Sequence, residues 1–318
     1  MRGTGRGSGV LAGNGAESGS EDRPMRAVFD FLMGIIGGLV LAAGLLALDV
    51  VLETRLAAHH RALSGAAAGP AVTRAVRLRR PPEPVGDYAV RRLTAPIPAE
   101  RYRRRHVPRT EGLRSGQVRV GGRERRYSLL VPRRAWSGVA SPVLVVLHGS
   151  DGGAAAMLDM WREIARPAGL ILVAPEAFGG SWHPRRDGPE FAHALLADLA
   201  RDYAIDPKRI YLFGHDSGAG QALALANAMP GMWRAVAVHG GAVPAAQVAA
   251  AEGPLPAIAL YVGTEDAVFP APAVHRSAAA LAGAGHDVML AEIAGHTHWY
   301  FDIGPWLSDR AWAFFRQH

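Results

Sequence analysis

The chain has 318 residues, 35 basic against 28 acidic side chains for a net charge of +7, thirteen histidines and no cysteine. The lack of cysteine excludes disulfides, thiol catalysis and cysteine-type zinc sites, and the histidines show no zincin spacing, so neither a metal nor a cofactor is expected. The basicity is local: residues 54–116 hold fourteen arginines against four acids, which reads as a solvated tether or a contact for anionic lipid headgroups, with no nucleic-acid partner expected.

In chain order, residues 1–26 are rich in Gly and Ser and are expected to be disordered, with Met25 a plausible natural start. Eighteen uncharged residues from Phe31 to Leu48, extended on both sides, make 27–52 long enough to span a bilayer once. A cleaved signal peptide competes, since Arg23 and Arg26 form a basic leader, but no small-x-small site follows closely after Leu48. The expectation is therefore a single-pass N-terminal anchor with an extracytoplasmic C-terminal domain. Residues 53–116 mix Ala, Arg and Pro and read as a linker.

At Gln117 the pattern changes. Residues 117–131 read as a hairpin turning at Gly121 and Gly122, and strands and helices then alternate. The expected strands are 142–147, 170–174, 209–213, 234–238, 257–262 and 288–293. The expected helices are 154–168, 190–203, 217–229, 272–284 and 305–315. Apolar strands without alternation, separated by helices, imply a mainly parallel sheet with helices on both faces, and place the site at the carboxyl ends of the strands.

Three strand ends and one turn carry chemistry. The turn is Gly214-His215-Asp216-Ser217-Gly218, a strand-turn-helix context that fits the nucleophile elbow G-x-S-x-G, with Asp216 where serine is expected and Ser217 beside it. The strand ends are His148-Gly149-Ser150, able to aim backbone N–H groups at an oxyanion, then Glu265-Asp266, then His296-Thr297-His298. Nucleophile, acid and histidine follow one another in α/β-hydrolase order. His148 and His215 read as structural.

From about Arg126 onward, VVLHG, LILVAP, Ser181-Trp182, the elbow, YVGTEDAVFP and GHTHWY resemble compact esterases related to polyhydroxybutyrate depolymerases and feruloyl esterases. The resemblance implies an α/β-hydrolase fold over 117–318 and an ester substrate, small or polymeric. It also implies Asp266 as triad acid, His298 as base with His296 as the alternative, the N–H groups of Ser150 and Ser217 as oxyanion donors, and Trp182 either lining the pocket or covering the core from its loop.

Asp216 divides the readings of function. As a nucleophile it resembles the elbow of epoxide hydrolases and dehalogenases, although the eighteen residues between Val238 and Ala257 leave no room for their cap. Ser217 is the alternative nucleophile, but one step along a helix turns a side chain by about 100° away from the apex. The remaining reading is a silent homologue that binds without catalysis.

Overall fold

The computed structural model describes residues 86–98, 106–150, 152–250 and 252–318, all within one compact unit spanning Leu78–His318. The expected N-terminal extension, the anchor at 27–52 and much of the linker lie outside the described residues. Among the described residues no helix is long and apolar enough to cross a membrane.

The fold is an α/β-hydrolase sheet of nine strands: β1 (Ala89–Leu93), β2 (Arg114–Val120), β3 (Arg123–Leu130), β4 (Ser141–Leu147), β5 (Ile171–Pro175), β6 (Ile205–His215), β7 (Ala235–His239), β8 (Ala257–Gly263) and β9 (Val288–Ile293). Their spatial order is β1-β9-β8-β7-β6-β4-β5-β3-β2. The pairs from β5 across to β1 are all parallel, and the hairpin β2–β3 adds antiparallel to β5. Strands β4, β5, β7 and β8 are buried along their whole length, which is why they lack alternation.

Five helices cover the faces: α1 (Ala154–Ala168), α2 (Pro189–Asp202), α3 (Ser217–Ala228), α4 (Ala271–Gly283) and α5 (Gly304–Gln317). On one face α1 and α5 pack Met157, Trp161, Leu307 and Phe315 against Leu144, Leu172 and Phe213. On the other, α2, α3 and α4 pack Leu195, Leu223 and Leu281 against Val145, Leu212 and Leu260. Between β7 and β8 the described residues hold only a short 3₁₀ turn, Ala245–Gln247, so the site has no cap there.

The linker reading needs correction at two places. Strand β2 begins three residues before the expected Gln117, and β1 lies wholly within the segment read as linker. In β1, AVRRL, four of five residues are exposed, so burial leaves no apolar period to read. It is held by main-chain pairing to β9, and beside it the Tyr88 hydroxyl lies 2.8 Å from His275 Nδ1.

Candidate active site

Strand β6 hands over to α3 through a tight turn at Asp216, whose φ of 55° and ψ of −122° make it the one non-glycine residue with positive φ among the described residues. Holding a Cβ-bearing residue there costs on the order of 1–3 kcal/mol, and it projects the side chain from the strand end. The flanking glycines are steric necessities. A Cβ on Gly214 would strike the backbone of Gly218, and one on Gly218 the carbonyls of Leu147 and His148.

The Asp216 carboxylate meets three donors. The Ser150 N–H donates to Oδ2 at 2.7 Å, the Ser217 N–H bonds the same carboxylate, and His298 Nε2 stands 3.4 Å from Oδ1. The two backbone donors expected to hold an oxyanion are thus holding the elbow carboxylate. Burial pushes this carboxyl upward, but the bond to His298 and the two N–H donors outweigh it and hold it well below the usual range.

His298 is fixed from the other side by Asp266. Its Nδ1 donates to Asp266 Oδ2 at 2.9 Å, while Asp266 Oδ1 accepts the N–H groups of Val268 and Phe269 at 2.9 and 2.8 Å. Burial pushes His298 down, yet the two carboxylates more than reverse this and raise it to about 9. At neutral pH the resting site is therefore carboxylate, imidazolium, carboxylate. Burial likewise raises Asp266, and its bonds to His298 and Phe269 bring it below its ordinary value.

These groups open on a cavity of about 160 Å³, lined among others by Gly149, Ser150, Met157, Asp216, His298 and Trp299. Its outer wall includes His106, stacked on Phe301 at 5.1 Å and bonded through Nε2 to the buried Asp159 at 2.9 Å. No group of three or more His, Cys, Asp or Glu among the described residues could hold a metal.

The structure brings together Asp216, Asp266, His298 and the amides of Ser150 and Ser217. Three expected roles are placed differently. His296 is buried with its Nε2 3.1 Å from His239 Nε2, while His298 Nδ1 bonds Asp266, so the histidine two residues later takes the base position. The Ser217 hydroxyl is buried without a hydrogen bond, and Ser217 does not line the cavity; the helical rotation has turned it inward. Trp182 is not in the cavity wall either: its Nε1 donates to the His148 carbonyl at 2.7 Å and its ring packs on His148, beneath the oxyanion turn.

Sequence reasoning named two props of this site without their roles and passed over a third. His148, read as structural, does pin the oxyanion turn, with Nδ1 2.7 Å from the Gly149 carbonyl and Nε2 accepting the Ala177 N–H at 3.0 Å. His215, read the same way, lines the cavity with its ring 5.0 Å from that of His298. His239, at the end of β7, carried no motif in the sequence and lies between His215 and His296.

Comparison with known proteins agrees with this fold. Residues 131–306 match the family model described as Dienelactone hydrolase family. The Nocardia uniformis subsp. tsuyamanensis protein NocK, whose name carries a provisional esterase assignment, is 30% identical over 169 residues, 48% of this chain and 48% of that protein. A thermostable esterase superposes with TM-score 0.53 at 18% identity, covering 65% of this chain and 63% of its own. The Thermogutta terrifontis esterase 2 phosphoramylated by tabun does so with TM-score 0.55 at 17% identity, over 66% of this chain and 96% of its own. The chain spans about half the length of the curated relative it matches.

Proposed function

The chain belongs to the dienelactone hydrolase family, and on that premise we propose that it is an ester-acting hydrolase that works through a covalent ester on Asp216. The carboxylate attacks a substrate carbon bearing a leaving group, forming the Asp216 ester and releasing that group. Water then adds to the Asp216 carbonyl carbon and frees the alcohol, so that R–X and water become R–OH and HX; for a carboxylic ester X is the carboxylate and the alkyl–oxygen bond breaks, while for an epoxide the leaving oxygen stays on R and takes the proton there.

One observation carries this reading: Asp216 Oδ2 already accepts the Ser150 N–H at 2.7 Å, the Ser217 N–H bonds the same carboxylate, and Oδ1 stands 3.4 Å from His298 Nε2. Once esterified, Oδ2 is a carbonyl oxygen in an oxyanion hole, the geometry in which the family's fold opens esters. Esterification also cancels the Asp216 charge that helps hold His298 protonated. The imidazole then drops toward its ordinary range, and with Asp266 fixing its tautomer it can take the proton of the attacking water.

The resemblance to polyhydroxybutyrate depolymerases and feruloyl esterases puts carboxylic esters, including polymeric ones, first among substrates. Epoxides and carbon–halogen bonds come second. Single turnover in ¹⁸O-water tests the mechanism: label is expected in the Asp216 carboxylate, found by peptide mass spectrometry, and label only in the product sinks it. A silent binding role is the second reading, favoured by the imidazolium lying against Asp216; a site that turns over none of these substrates establishes it. Residues 27–52 would anchor the domain on the extracytoplasmic side of a membrane, and release of the full chain from membranes by alkaline carbonate would overturn that.

A further inference from the structure

Three imidazoles lie in a line beneath the site. His239 Nδ1 is 3.1 Å from His215 Nδ1, and His239 Nε2 is 3.1 Å from His296 Nε2. The chain joins the elbow strand β6, the end of β7 and the loop after β9 that carries His298. The His239 main chain is attached as well: its carbonyl accepts the Asp216 N–H at 3.1 Å and lies 3.2 Å from His215 Nδ1. Its neighbour Gly240 has φ 55°, and a Cβ there would come within 2.9 Å of His298 Nδ1 and 3.1 Å of Asp266 Oδ2. One residue therefore touches the elbow, the base loop and the floor under the His298–Asp266 pair.

We propose that His239 is a positioning residue, which sets the distance at which His298 meets Asp216 by tying the elbow to the base loop. The inference rests on the reading of Asp216 and His298 as the working pair. Each N···N contact holds one proton, and a neutral imidazole carries one N–H, so His239 must donate in one bond and accept in the other. With His239 neutral, the two ties are thus coupled in direction. Burial, together with the His298 charge, pushes His215 down to about 4, and burial with the neighbouring histidines keeps His239 well below its ordinary value.

The groups facing these rings are few. His215, His296 and the Tyr300 ring at 5.7 Å surround His239. Asp216, Asp266, the His215 ring at 5.0 Å and the Phe269 ring at 5.8 Å surround His298. Leucine at 239 would remove both ties at similar volume. Glutamine, with one amide donor group and one acceptor, can restore them.

The experiment is a pH titration of the histidine ring nitrogens by NMR in the full chain, with His298 assigned by its own substitution. His239→Leu and His296→Leu should each lower the His298 midpoint from about 9 by roughly one unit or more, because a slack loop lengthens its bond to Asp216. His239→Gln should restore it. A folded leucine variant that leaves the His298 midpoint in place overturns the proposal, since a residue that merely fills space changes melting temperature and not this titration. If His239→Leu does not fold, His296→Leu, which cuts the tie to the base loop and leaves that to His215, decides. Alkylation of Asp216 by a small epoxide is followed in parallel. No alkylation with a shifted midpoint fails the covalent mechanism alone, and alkylation with an unmoved midpoint fails the positioning role alone.

Discussion

His298 and two of the histidines beneath it, His215 and His239, occupy one buried neighbourhood and take opposite charge states. His298 is raised to about 9 while His215, whose ring is 5.0 Å away, is lowered to about 4. Burial depresses both. The difference is that His298 reaches two carboxylates, whereas His215 and His239 bond to imidazoles and a carbonyl. Partners, and not depth, decide which imidazole carries the proton.

The largest change should come from removing the partner that distinguishes this chain from a serine hydrolase. Asp216→Ser frees the two N–H donors, leaves a hydroxyl at the apex and withdraws one of the carboxylates holding His298 protonated. Hydrolysis of a short p-nitrophenyl ester should rise by about 10⁴-fold or more over the parent and vanish when His298→Ala is added. A gain that survives His298→Ala would break the assignment of the base.

Within that serine variant, Asp266→Asn tests the second carboxylate. Its side chain is fully buried and saturated by three hydrogen bonds. The amide would present the wrong partner to His298 Nδ1, and turnover should fall by about 10³ to 10⁴-fold with little change in KM. A tenfold loss or less would show that Asp266 only shapes the turn.

Stability against pH exposes both charge states at once. A proton bound to His298 up to about 9, above its ordinary 6.5, gives stability that is full below 6.5 and is lost as pH rises through 9. His215 and His239 act in reverse. The unfolded chain takes up protons at them below 6.5, so stability falls as pH drops toward 4. Asp216 and Asp266, both depressed, add stability above their ordinary 3.8 that is lost on further acidification. The melting temperature should peak between about pH 6.5 and 7, with each limb worth on the order of 1–3 kcal/mol after solvent screening. His298→Ala should flatten the alkaline limb and leave the histidine part of the acid limb; an unchanged alkaline limb would deny the imidazolium.

How much of this was legible in the sequence follows the same division between partners and position. Buried parallel strands declare themselves by unbroken apolar runs, so β4 and β7 to β9 fell within a residue of expectation, as did the helix Ala154–Ala168. Asp216 and Asp266 stand at strand ends whose glycine and turn signals are local, and the structure brings both to His298. Strand β1 was hidden because its stability comes from a neighbour about two hundred residues away, and its own side chains face solvent. The choice between His296 and His298 depends on which way a loop turns its side chains, and His239 acquires meaning only through two residues on other strands.

Trp182 is the smallest test and the sharpest on that last point, because the sequence suggested a substrate contact and the structure offers a prop. Its indole N–H donates to the His148 carbonyl at 2.7 Å, directly before the turn that aims Ser150 N–H at Asp216. Trp182→Phe keeps an aromatic ring on His148 and removes only that donor, leaving a buried carbonyl with one bond fewer. The expected cost is about 1 kcal/mol of unfolding free energy, read by denaturant titration. Because Trp182 stands outside the cavity wall, preference among esters of increasing acyl length, measured in the Asp216→Ser background, should not move. A shift in that preference without a loss of stability would return Trp182 to the substrate and take it from beneath the oxyanion turn.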